Sequence, residues 1–175
     1  SITGYERKQF PDNSFDVAIG NVPFGNYGVR DSRYSNHSFS IHEYFFAKSL
    51  DVVRPGGIIA FITSKHLLDQ KNSSTRRYMA NRANLLGAIR LPNTAFKANA
   101  GTEVTTDIIF LQKKANPEID RPEWLDIGQL EDVPVNQYFA LNPAMVLGKL
   151  VLDKSMYGSE NATACHPLPD SPLSE

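Results

Sequence analysis

The chain has 175 residues, 41% hydrophobic and 21% charged, with a net charge of −1. That is long enough to bury a real core and ordinary for an α/β protein. No run reaches the eighteen or so apolar residues of a membrane span, no signal peptide is visible in the polar start "SITGYERKQF", and a single cysteine, Cys165, excludes an internal disulfide framework and fits a reducing, cytoplasmic setting.

In chain order, "FDVAIG" at 15–20 predicts a short buried strand after the turn residues Asp12 and Asn13. Residues 26–40, rich in Asn, Ser, Gly and Arg, predict a long loop of the kind that binds or covers a ligand. Ser40 and Glu43 have capping-box spacing, and a helix is expected over 41–53, stopped by Arg54-Pro55-Gly56-Gly57. "GIIAFIT" at 57–63 suits a central parallel strand covered on both faces. A second helix is expected at 73–83, a strand at 85–91 stopped by Pro92-Asn93, and a last strand at 105–114. This order is that of one half of a layered α/β sheet.

From Asn116 the character changes. We divide the chain into 1–116 and an extension, 117–175, which opens on a proline-containing linker, holds short apolar pieces and ends in a tail expected to be mobile from about residue 158. Charge divides the same way. Residues 1–116 carry fifteen Lys and Arg against nine Asp and Glu; residues 117–175 carry three against ten. Lys65, Lys71, Arg76, Arg77, Arg82 and Arg90 form a basic run, either a solvated helix face or a set of phosphate contacts. Lys65, Lys71, Arg76 and Arg77 are the candidate contacts.

The chemistry is concentrated at Asn21-Val22-Pro23-Phe24, just past the expected end of the first strand. Ligands of open α/β sheets sit at such strand ends. The Asn21 side-chain carbonyl and the Val22 main-chain carbonyl are two acceptors, Pro23 stiffens the turn, and Phe24 offers a flat face. Two acceptors and a ring fit a planar heterocycle or amide that carries an NH2 group. Pulling on both N–H bonds favours a pyramidal nitrogen and aims its lone pair at an electrophile, with no metal required. In duplex DNA the base must be flipped out, and Phe24 would replace part of its lost stacking. A strand-ending turn without function is the plain alternative. His37 and His42 have no partners at metal-ligand spacing. Cys165-His166 has no nucleophile context, and Asp107 in "TTDIIF" is expected to be structural.

These residues resemble the S-adenosylmethionine-dependent amino-methyltransferases, whose signature is Asn/Asp-Pro-Pro-Tyr/Phe/Trp. The downstream series "FFAKSLDVVRPGGIIAFITSKHLL" and "RRYMANRANLLGAIRLPNTAFKANAGTEVTTDIIFLQKK" is similar to adenine-specific DNA methylases of the type I restriction-modification kind, and to methylase–helicase proteins of phages and conjugative elements. The resemblance spans residues 5–114, and 130–150 loosely. It implies the second half of a Rossmann-like methyltransferase sheet, with the first strands and the glycine-rich cofactor loop absent and a largely irregular C-terminal extension. It implies S-adenosylmethionine as cofactor, DNA as partner, Asn21, Val22, Pro23 and Phe24 around a target adenine amine, and Gln9 and Phe10 at the cofactor's adenine.

Val22 replaces the signature's first proline but keeps its carbonyl, and Gln9 stands where an acid is common. The expected function is that of a DNA adenine methyltransferase fragment, inactive as this chain alone. The alternatives are methylation of RNA or of protein glutamine, and a non-catalytic DNA- or protein-binding module. The open edge of a half-sheet is expected to be covered by self-association or by the chain's own tail.

Overall fold

The structure is a computed structural model; it describes residues 5–23, 28–29, 31–37, 39–96, 104–152 and 162–169. Its centre is a four-stranded mixed sheet of β1 (Phe15–Asn21), β2 (Val53–Ser64), β3 (Ala83–Leu91) and β4 (Thr106–Lys113), in the order β1-β2-β4-β3. β1 and β2 are parallel; β4 runs antiparallel to both β2 and β3. β2 is therefore central, as "GIIAFIT" suggested, but parallel only to β1.

The parallel crossover is α1 (Ile41–Val52). The Glu43 carboxylate reaches back to accept from the Ser40 N–H at 2.8 Å. It also accepts from Thr75 Oγ1 at 2.6 Å and Gln70 Nε2 at 3.1 Å. Burial alone would raise the Glu43 carboxyl, but these hydrogen bonds outweigh it and hold it below the usual range. One side chain thus caps α1 and ties it to the segment that carries α2 (His66–Asp69) and α3 (Ser74–Ala80). α2 was not expected from the sequence; its four residues are too short for a periodic signal.

The Arg54–Gly57 stretch, expected as a helix-stop turn, is instead the irregular start of β2. Pairing jumps from Phe15↔Val53 to Val17↔Ile58, so β2 carries a bulge there. Gly56 has φ +76°, and a β carbon at Gly57 would lie 2.7 Å from the Asp16 carbonyl oxygen. Both positions need glycine.

Burial alternates along β2. Gly57, Ile59, Phe61 and Thr63 are buried; the residues between them are half-exposed. The buried face packs under Phe46 and Leu50 of α1, Leu67 and Leu68 of α2, and Met79 and Ala80 of α3. β1 is not the buried strand expected. It has one strand neighbour, and Val17 and Ile19 on its other face are 47% and 79% exposed. Among the described residues, nothing covers that edge.

The extension is more regular than expected. A 3-10 turn at Glu123–Leu125 leads to a hairpin of β5 (Ile127–Leu130) and β6 (Val133–Asn136). Its two turn residues, Glu131 and Asp132, both have positive φ, as a tight two-residue hairpin requires. α4 (Gln137–Leu141) follows, then β7 (Lys149–Leu152) pairs with β8 (Thr163–His166). These strands have four residues each, too few for alternation to show in the sequence.

Trp124, Leu125, Val133, Val135, Phe139, Leu150 and Cys165 join the same core as Ile59 and Ile109. Cys165 therefore does not lie in a mobile tail; it is buried in β8, and burial pushes its thiol up to about 11. Residues 158–161 and 170–175 of the expected tail lie outside the described residues. The extension covers the β3 edge, where Val146 bridges Arg90 and the Leu147 N–H donates to the Arg90 carbonyl at 2.9 Å. Its described residues do not reach β1, so they are not the cover expected there. Among the described residues, no helix is long and apolar enough to cross a membrane.

Candidate active site

Asn21 is the last residue of β1, level with Ile62 of β2. The Val22 N–H donates to the Ile62 carbonyl at 2.9 Å, and the Val22 side chain is buried in the main core. That anchor turns the chain at the sheet end and leaves Asn21 and Pro23 exposed. Among the described residues, nothing donates to the exposed Asn21 side chain. A proline at 22 would lack the N–H that this anchor uses, so valine is suited to this turn. Phe24, the expected stacking ring, lies outside the described residues.

Gln9 and Phe10 are not brought to Asn21. The Phe10 ring packs edge-on against Phe15 at 5.4 Å and near Tyr5 at 6.3 Å. Phe15 opens β1 and Asn21 closes it; six residues of extended chain separate them by roughly 20 Å. The described residues therefore form no enclosure joining the two sets. On their own they do not complete a pocket for S-adenosylmethionine. Among the described residues, no group of three or more His, Cys, Asp or Glu side chains could hold a metal ion.

The basic run divides. Arg76 is buried and donates to the carbonyls of Leu125, Leu67 and Gln70, at 2.8 Å for the best contacts to Leu125 and Gln70. It is not a phosphate contact; it fastens the extension to α2 and α3. The Lys65 ammonium donates to Thr163 Oγ1 at 2.8 Å, a contact to β8, and burial holds its pKa below the usual lysine value. Lys71 and Arg77 are exposed, as a phosphate contact needs.

Arg90, counted with the surface cations in the sequence, is the centre of a buried ion cluster beside the same sheet end. Its guanidinium grips Asp107 with two bonds, Nε to Oδ1 at 2.9 Å and Nη2 to Oδ2 at 2.8 Å. Its Nη1 donates to Asp69 Oδ2 at 2.7 Å, and its Cζ lies 4.5 Å from the centre of the Phe139 ring. Asp69 also accepts from the Asn136 N–H at 3.0 Å. Burial is the largest influence on Arg90 and would lower it, but the two carboxylates override it and push the guanidinium up. Arg90 and Asp107 are direct register partners on β3 and β4. An arginine inside "LLGAIRL" and an aspartate inside "TTDIIF", each alone in an apolar strand, were the signal for this pair.

The same sheet end holds Thr63 and Thr106, whose buried hydroxyls have no partner among the described residues. The Cys165 N–H donates to Thr105 Oγ1 at 3.0 Å, and its carbonyl accepts from the Asn93 N–H at 2.8 Å. β8 thus closes the sheet end beside Lys65.

Comparison with known proteins fits this arrangement. Residues 4–96 match the Eco57I restriction-modification methylase family. The chain is 35% identical over 143 residues to the "Defense against restriction protein B" of Escherichia phage P1, an alignment that covers 79% of this chain and 6% of that protein. Among solved structures, it is similar to the M protein of the type I restriction enzyme EcoKI, with TM-score 0.53, 19% identity, and coverage of 63% of this chain and 23% of that one. A chain of a type I R-M system gives TM-score 0.50, 21% identity, and coverage of 59% and 22%. These two likenesses give the fold, a methyltransferase sheet of which this chain holds part. The matched family region runs from ahead of β1, through the Asn21–Pro23 turn, to the end of β3, and on that ground the chain belongs to the Eco57I restriction-modification methylase family.

Proposed function

We propose that this chain is the target-amine-binding part of a DNA adenine methyltransferase. The observation that carries this reading is the strand-end turn that the Val22–Ile62 hydrogen bond holds, with the exposed Asn21 side chain next to the Val22 carbonyl, two acceptors on adjacent residues. They would accept from the two N–H bonds of a flipped adenine, with Pro23 fixing the turn and Phe24 stacking on the base. S-adenosylmethionine supplies the methyl group in this family; Gln9 and Phe10 remain our candidates for its adenine end. Membership of a restriction-modification methylase family supports DNA as the substrate.

Because Gln9 and Phe10 lie at the far end of β1 from Asn21, we place the rest of the cofactor pocket in parent-protein sequence outside these 175 residues. Calorimetry with S-adenosylhomocysteine tests this. The 175-residue chain is expected to show no binding, and the full-length parent micromolar binding. Micromolar binding by the short chain would sink the missing pocket. No binding by either would favour a non-catalytic DNA- or protein-binding module.

We place self-association of the isolated chain on the open β1 edge, where Val17 and Ile19 are exposed. Sedimentation velocity is expected to show a dimer that Ile19→Lys converts to monomer. A wild-type monomer at high concentration would count against it.

A further inference from the structure

Away from the Asn21 turn, a groove of about 750 Å³ lies between the loop ahead of α1 and the helix α3. That volume is in the range of ligand-binding clefts. Arg77 and Arg82 line it, and they are five residues apart across the end of α3. Arg77 is exposed, and among the described residues its side chain donates one long 3.3 Å bond, to Ser73 Oγ. Arg82 lies with its Cζ 3.7 Å from the centre of the Tyr78 ring, fixed there by a 3.1 Å bond to the Tyr78 carbonyl. The exposed His37 imidazole stacks on Phe39 at 4.8 Å and 13°, and Tyr78 meets it edge-on at 5.2 Å. The one carboxylate among the lining residues, Glu43, is engaged on both oxygens by the bonds to Ser40, Gln70 and Thr75.

Two cations beside an exposed imidazole and a tyrosine ring suit one ligand class. Phosphates pair with arginine, and unstacked bases lie on exposed rings whatever their sequence. We propose that this groove binds an unpaired stretch of nucleic-acid strand, with its phosphates on Arg77 and Arg82 and a base against His37 and Tyr78. The inference rests on the nucleic-acid reading above and adds to it a second, sequence-independent contact distinct from the amine-binding turn. The rings favour an unpaired strand over duplex, because only an unstacked base can offer its face.

The test is fluorescence anisotropy of a short labelled single-stranded oligonucleotide with the 175-residue chain, without cofactor, across a salt series. Arg77→Gln is expected to reduce the slope of log affinity against log salt by roughly 0.7, the share of one phosphate on a single strand. Arg77→Gln with Arg82→Gln is expected to reduce it by about twice that. His37→Ala, on the loop and clear of the main core, is expected to weaken single-strand binding by about ten-fold while leaving the salt slope unchanged. Affinity and slope that no variant alters would overturn the groove. So would a wild-type chain that does not bind at low salt. Either result leaves the methyltransferase reading to be judged separately, by cofactor binding and methyl transfer in the parent protein.

Discussion

Replacing Arg90 with methionine is expected to destabilise the chain by about 3–5 kcal/mol, the range for breaking a buried ion pair from one side. The change keeps the volume but leaves Asp107 buried with no cation. It also strips Asp69 of its 2.7 Å partner. Against a total stability of roughly 5–15 kcal/mol for a domain, that is a large fraction of what holds the fold. Denaturation in urea reads the loss as a lower midpoint.

The double variant Arg90→Met with Asp107→Leu is expected to recover much of it, because no charge then remains buried on β4. A single variant as stable as the wild type would mean that water reaches the cluster. The effect should extend to the extension, since Asp69 holds the Asn136 N–H and Asn136 Nδ2 in turn donates to the carbonyls of Leu68 and Trp124 at 2.8 and 2.9 Å. Loss of the Arg90 cluster is therefore expected to quench or shift Trp124 fluorescence in the same transition.

The second large effect concerns chemistry. Asn21→Ala in the full-length parent is expected to lower the methyl-transfer rate by about 10²–10³-fold, the magnitude found when one preorganised polar group is removed from a reacting centre. The side chain is exposed and bonded to nothing among the described residues, so stability should change by no more than about 0.5 kcal/mol. Asn21→Asp keeps an acceptor and is expected to retain more rate than alanine. Single-turnover methylation of a duplex substrate, with the melting transition measured on the same samples, separates the two contributions. An alanine variant that transfers at the wild-type rate would remove Asn21 from the site, and the open strand-end turn would then have no catalytic reading.

Much of the local structure was legible. α1 follows from its capping box and apolar spacing, and it ends within one residue of the expected place. The strands over 57–63 and 85–91 fall inside β2 and β3, and that over 105–114 overruns β4 by one residue at each end; β2 begins four residues earlier because the Arg54–Gly57 stretch joins the ladder as a bulge. The Asn21–Pro23 motif falls at a strand end as its composition required. What misled was the basic run. Arg76, Arg77 and Arg90 look alike in sequence, yet one fastens carbonyls, one faces water and one neutralises two carboxylates. A cation's role depends on what lies opposite it, and residues 125 and 107 are far away in the chain.

By itself the sequence determined those properties that arise within a few residues. These are the helix and its cap, the apolar strands, and two carbonyls and a proline placed together after a strand. Such features rest on local backbone preference and on side-chain periodicity. Only the tertiary structure decided the pairing of β4 between β2 and β3, the burial of Arg90 and Arg76, the packing of the extension onto the β3 edge and the exposure of the β1 edge. It also set Phe10 apart from Asn21. Each of these is a contact between segments distant in sequence, decided by which apolar faces and which unpaired polar groups find partners when the chain closes on itself.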